Sequence, residues 1–145
     1  MNTNNTHMEQ GDFFFPLRTL EPPPELKDIP GAQTWLAEGA RYGMVGSSLM
    51  IAQVAPGDGP PLHLHFSEEV QYVLEGHLRF QIGDKIFEVS EPGVVHIPAN
   101  TPHAFINIGD TLMRVVTFFP TSSYEINWKA LGPNPLQTKS AWLTP

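Results

Sequence analysis

The chain has 145 residues, a single-domain length, and its 15 prolines and 12 glycines are spread so widely that an architecture of long helices is excluded. Acidic residues outnumber basic ones 15 to 8, which argues against a nucleic-acid or anionic-membrane surface and for a small-molecule partner. There is no cysteine, so disulfides and thiolate ligation are excluded, and any metal must rest on His and carboxylate side chains.

The polar start, residues 1–11, lacks the apolar stretch of a secretory signal and reads as a tail, so a cytoplasmic location is expected. No apolar run approaches the ~18 residues needed to span a membrane. Phe13-Phe14-Phe15 opens the part with enough apolar surface to pack, and the Pro-rich stretch from Glu21 to Pro30 reads as an extended wrapping segment. The expected organisation is a tail and wrapping segment over 1–34, a barrel over 35–120 and a covering tail over 121–145 that carries Tyr124, Trp128 and Trp142.

Within the barrel, Ser48 to Val54 is the clearest early strand, and Pro56-Gly57-Asp58-Gly59-Pro60-Pro61 is a rigid loop that delivers the next residues in a fixed direction. Gly83-Asp84 suits a two-residue hairpin turn with Gly first, which sets Phe80 opposite Phe87, Leu78 opposite Val89 and Arg79 opposite Glu88. If Glu75-Gly76 is a similar turn, Val73 lies beside Leu78 and Gln71 beside Phe80, with residues 65 and 69 on the same inward face. Val94 to Ile97, Ala104 to Ile108 and Leu112 to Phe119 are the remaining strands, and the side on which Arg114 falls is open.

Alternate strand residues share a face, so His63 and His65 point the same way about 6.5 to 7 Å apart, a separation that two ligands of one ion bridge. Taken alone, a His-x-His pair fits two partly exposed strand residues equally well. Glu69 has the same parity and can add an anionic oxygen, leaving a further ligand to come from a neighbouring strand.

The string Gly57, five residues, His63-x-His65, three residues, Glu69, six residues, Gly76 resembles the first motif of the cupin superfamily. The second motif fits Pro98-x-Asn100, two residues, His103, three residues, Asn107, with Asn100 in place of a loop glycine; Asn also enters the left-handed region. A rival placement through Gly93, His96 and Asn100 would cut into the 78–89 hairpin, so His96 reads as a strand residue with a pocket role as its alternative. More narrowly, the stretches Pro56–His65, Tyr72–Gly76 and Ile97–Phe105 are similar to bacterial single-domain cupins akin to quercetin dioxygenases.

This resemblance implies an all-β cupin fold, a double-stranded β-helix or conical antiparallel β-barrel. It implies that His63, His65, Glu69 and His103 hold one divalent transition metal (Fe, Mn, Ni, Co, Cu or Zn), and that Glu69 doubles as the acid/base for the substrate's hydroxyl proton. The expected function is a metal-dependent dioxygenase, an oxidoreductase acting on a small chelating enol or aromatic substrate; the alternatives are a non-catalytic binding or sensory cupin and a metal-dependent isomerase. Gln71, Val73, Phe80 and Phe105 are the candidate pocket residues, although core packing is the favoured reading for most of the apolar ones. Glu68, of opposite parity, and His77, after the turn, are expected at the surface. Val70, Tyr72 and Leu74 would make the outer face of a central strand apolar, which points to a homodimer or to cover by Phe13–Phe15.

Overall fold

The computed structural model describes residues 13–124 and 127–137, so the expectations for residues 1–11 and Trp142 lie outside it. Among the described residues the strands are β1 (Ala32–Ala37), β2 (Ser48–Val54), β3 (Leu62–His65), β4 (Glu69–Glu75), β5 (Leu78–Ile82), β6 (Lys85–Val89), β7 (Gly93–Ile97), β8 (His103–Asn107), β9 (Met113–Phe119) and β10 (Trp128–Gly132), with one helical turn, α1 (Gly39–Tyr42). They form two five-stranded antiparallel sheets, ordered β1-β2-β9-β4-β7 and β10-β3-β8-β5-β6. No helix of the described residues is long and apolar enough to cross a membrane.

The two sheets bury their facing sides against each other. Val73, Leu78, Phe80, Ile97 and Met113 are the most enclosed members of the core between them, each such side chain contributing about 1.5–3 kcal/mol relative to exposure. A smaller cluster of Leu36, Phe119 and Tyr124 closes the other end.

The hairpin β5–β6 has the register that its turn residues dictate, Phe80 facing Phe87 and Arg79 facing Glu88, with Gly83 at φ 58°. Asn100 is the one described non-glycine residue with positive φ, at 58°, so it does the work of the missing loop glycine. Its N–H donates to the His65 carbonyl at 2.7 Å and thereby ties the loop before β8 to the end of β3.

The expected hairpin between β4 and β5 is corrected. β4 does not pair with β5: it lies between β9 and β7, while β5 pairs with β6 and β8 in the other sheet. Glu75-Gly76 is therefore a crossover between sheets, with Gly76 at φ 120° pressed against Met113, where a side chain would collide. The inward parity of residues 69, 71 and 73 survives, because it depends on the strand's own pleat.

The segment after Pro120 is more than a cover. β10 adds to β3 with Trp128 opposite His65, and Asn127 holds the β3–β4 connection: its Oδ1 accepts from Ser67 N–H and its carbonyl from Phe66 N–H, at 2.7 and 2.8 Å. The first sheet also begins earlier than expected, at Ala32. The segment before it runs through short 3-10 turns at Leu17–Thr19 and Pro24–Leu26 and a bridge from Glu21 to Leu36.

Candidate metal centre

β3 runs antiparallel to β8 with His63 directly opposite His103, and β4 enters from the other sheet with Glu69 at its first residue. One ring nitrogen from each of His63, His65 and His103 lies within 4.8 Å of the other two. Glu69 is buried beside this cluster, its Oε1 3.1 Å from His103 Nε2 and its Oε2 3.1 Å from His65 Nε2. Gln71 Nε2 donates to Glu69 Oε1 at 2.9 Å, which fixes the carboxylate's orientation.

The ring tautomers follow from the carbonyls behind them. His63 Nδ1 faces the Pro61 carbonyl at 2.7 Å and His103 Nδ1 faces the Thr101 carbonyl at 2.9 Å. A carbonyl only accepts, so both Nδ1 atoms carry the proton and both Nε2 atoms present a lone pair to the centre. His103 Nε2 is buried and makes no hydrogen bond despite its nearness to Glu69. This arrangement fits a cation: ligand atoms about 2.0–2.2 Å from one ion stand about 3 Å apart, and backbone acceptors on the far ring nitrogens are the usual support of metal-bound imidazoles.

Burial favours the neutral imidazoles. It lowers the His63 pKa to about 3, helped by the neighbouring His103 and His65 rings, and lowers that of His65 to about 4 against the opposing pull of Glu69. Burial works the other way on Glu69, and its carboxyl is held below the ordinary carboxylate range by a hydrogen bond and positive charge from His103, then by positive charge on His65 and His63, when those rings are protonated. Three neutral donors and one anion are the protonation states that a divalent ion requires.

The loop before β3 reaches this position because Gly59 passes against the backbone of Phe105, where any side chain would strike the carbonyl oxygen. Asn134 Nδ2 clamps the same crossing by donating to the carbonyls of Pro60 and Phe105 at 2.8 and 2.9 Å. Asn107, the last residue of the second motif, donates through Nδ2 to the Val54 and Thr111 carbonyls and is a structural clamp.

A cavity opens from the histidines toward the wrapping segment, lined among others by Leu26, Met50, Gln71, Phe105, Thr117 and Tyr124. The space open to water is about 50 Å³, room for a handful of water molecules. None of its described lining residues is Lys or Arg. Of the expected pocket residues, Gln71 and Phe105 line it, whereas Val73 and Phe80 are corrected to core positions behind its wall, since both are fully enclosed by other apolar side chains.

Arg114 points outward and pairs with Glu75 at 3.4 Å, so it offers no charge to the cavity. His96 is 57% exposed, 3.9 Å from the equally exposed Glu68 on the outside of the barrel, and His77 pairs with Glu88 at 3.3 Å on the surface. Tyr124 and Thr117 escaped the sequence reading. Thr117 had a signal, a polar residue at an inward position of β9 opposite Gln71; Tyr124, in an irregular segment far along the chain, had none. Burial and then the Glu25 and Glu69 carboxylates hold the Tyr124 phenol well above its usual range, so it remains a donor, hydrogen-bonded to Glu25.

A two-sheet antiparallel barrel with three histidines converging beside a buried carboxylate at one end defines a cupin-type metal-binding architecture. The family description Cupin domain matches residues 50–119, and the chain belongs to the cupin superfamily. An uncharacterized protein of Methanocaldococcus jannaschii is 36% identical over 86 residues, 58% of this chain and 69% of that protein. Polyketide synthase CurC of Streptomyces cyaneus is 32% identical over 90 residues, 61% of this chain and 56% of that protein.

Among solved structures, the Lactobacillus farciminis oxalate decarboxylase formate complex superposes with a TM-score of 0.71 at 23% identity, over 90% of this chain and 40% of that one. A Bacillus subtilis oxalate decarboxylase variant gives 0.70 at 22% identity, over 81% and 31%. This chain thus spans about a third of those proteins' length, and the likeness is one of fold.

His103→Ala is expected to strip the purified protein of most bound metal, whereas His96→Ala leaves metal content unchanged, as read by elemental analysis; the reverse order would move the second motif to His96. The metal-free protein is also expected to lose stability on acidification. The folded imidazoles titrate at about 3 and about 4 against 6.5 unfolded, so the unfolded chain binds more protons once the pH falls below about 6.5. Glu69, its pKa depressed by folding, adds a loss in the same direction at lower pH. Thermal melts in chelator at pH 7 and pH 4.5 should differ by about 5 °C or more, and coincident melts would contradict neutral buried imidazoles.

Proposed function

We propose that the protein is a metal-dependent dioxygenase-type oxidoreductase acting on a small chelating enol, with one divalent transition metal held by His63, His65, Glu69 and His103. The observation that carries this reading is the convergence of Nε2 lone pairs, two of them fixed by backbone carbonyls, at the inner end of an apolar cavity that holds no cationic side chain among the described residues. Mn(II) centres occur in the Bacillus subtilis oxalate decarboxylase that shares the fold, which supports a hard or borderline divalent ion here.

A metal so held would supply Lewis acidity and open positions at which substrate and O2 meet. The chain's own groups do the rest. Glu69, kept ionised and aimed by Gln71, takes the proton of the substrate hydroxyl as it enters. The carbonyls of Pro61 and Thr101 keep His63 and His103 in one tautomer. Met50, Phe105 and Val115 exclude bulk water. A decarboxylase or isomerase acting on a dianion is disfavoured, because Arg114, the candidate cation among the described residues, faces outside. A non-catalytic binding cupin is the second reading, supported by the narrowness of the cavity.

Glu69→Gln should retain much of the metal and lose at least about 100-fold in oxygen consumption with small β-diketones or α-hydroxy ketones. If the metal-replete wild type consumes no oxygen with any of these yet binds a small organic acid tightly, the binding reading replaces the enzymatic one.

The proposal includes a homodimer through the outer face of the β1-β2-β9-β4-β7 sheet. Tyr72 is 50% and Val94 70% exposed there, with Leu49, Leu74 and Phe118 beside them, an apolar surface of the kind that partners cover. Phe13 and Phe14 are themselves exposed and Phe15 packs at a tilt against Tyr42, ring centroids 4.6 Å apart, so the Phe13–Phe15 segment does not supply the cover. Sedimentation at micromolar concentration should give a dimer that Tyr72→Asp converts to monomer; a wild-type monomer would refute the interface.

A further inference from the structure

We propose that Gln71 is the ligand-orienting residue of this centre, and that the site selects a small chelator of single negative charge carrying its own hydrogen-bond donor. The proposal deepens the metal-centre reading above and rests on it.

Gln71 is 4% exposed and lines the cavity next to Glu69. Its amide orientation is fixed, because the end that faces the carboxylate must be the donating Nε2, at 2.9 Å from Glu69 Oε1. Oε1 is thereby turned away from Glu69, and it is buried with no hydrogen-bond partner. A buried carbonyl left unpaired is a standing cost that a donor on an incoming molecule relieves. Thr117, across the strand pair from Gln71, and Thr34 on β1 are the other polar wall residues of this sheet, whereas Ala52, Val54 and Val115 make the surroundings apolar.

Charge sets the second condition. A divalent ion among three neutral imidazoles and one carboxylate leaves a single positive charge, and no Lys or Arg lines the described cavity. A monoanionic chelator neutralises that charge. A dianion would leave an uncompensated negative charge inside an apolar wall, which burial penalises heavily. Size sets the third, since the space open to water beside the centre is only about 50 Å³.

The test is a titration of the full-length protein loaded with Co(II), followed by its visible spectrum and by calorimetry, using acetohydroxamate, N-methylacetohydroxamate and oxalate. Wild type should bind acetohydroxamate about tenfold or more tightly than either of the others, the first losing its N–H donor on methylation and the second carrying two charges. Gln71→Leu should keep its Co(II) and erase the preference for the N–H form, and Gln71→Met serves as the same test if the leucine variant does not fold. Oxalate binding as tightly as acetohydroxamate would overturn the charge selection. A preference for the N–H form that persists in both variants would overturn the role of Gln71. If none of the three perturbs the Co(II) spectrum of the wild type, the ion has no open position, and the oxygenase reading fails together with the inference built on it.

Discussion

Three imidazoles and a carboxylate meet inside this barrel, with one nitrogen of each ring within 4.8 Å of the others and two of the rings 3.1 Å from the carboxylate, and the described cavity beside them contains no positively charged side chain. Lone pairs held this close repel one another in a low-dielectric surrounding, and a cation between them would relieve that repulsion. Much of the neighbouring structure serves to hold the repelling groups in place. The Pro61 and Thr101 carbonyls orient two rings, Gln71 orients the carboxylate, and Asn100 ties the loop before His103 to the strand that carries His65.

The fold suits this task because the donors come from both sheets. β3 and β8 present the histidines from one and β4 presents Glu69 from the other, so the centre sits where the two layers meet and each layer braces the other's ligands. The C-terminal segment adds to the bracing: β10 extends the histidine sheet, and Asn127 and Asn134 fasten the β3–β4 connection and the glycine loop. A chain cut before residue 127 would lose these clamps while keeping every candidate ligand.

The same division between layers explains the two characters of the molecule's interior. Away from the histidines the facing sheets pack Val73, Leu78, Phe80 and Met113 into a dry core. Toward the histidines the wall turns to Gln71, Thr117 and Tyr124, polar groups whose positions are fixed by cross-strand pairing and by Glu25 of the wrapping segment. Selectivity at such a site comes from a few groups of this kind, because the apolar wall itself distinguishes ligands mainly by size.

The sequence by itself determined what depends on local geometry. The pleat put His63 and His65 on one face, Gly83-Asp84 set the β5–β6 register, and Asn100 could enter the left-handed region that its loop requires. The spacing of the two His-containing motifs also pointed to the cupin fold, because fixed offsets along strands translate into fixed positions on a barrel. Only the tertiary structure decided which strands are neighbours. β4 and β5 follow each other in the chain yet lie in different sheets, since a crossover at Gly76 costs little and local pattern does not distinguish it from a hairpin turn. The strand role of residues 128–132, the place of Tyr124 beside His65, the outward turn of Arg114 and the removal of Val73 and Phe80 from the cavity wall all follow from that layer assignment. These are contacts between residues far apart in the chain, and a periodicity of two fixes the face a side chain takes without fixing what stands opposite it.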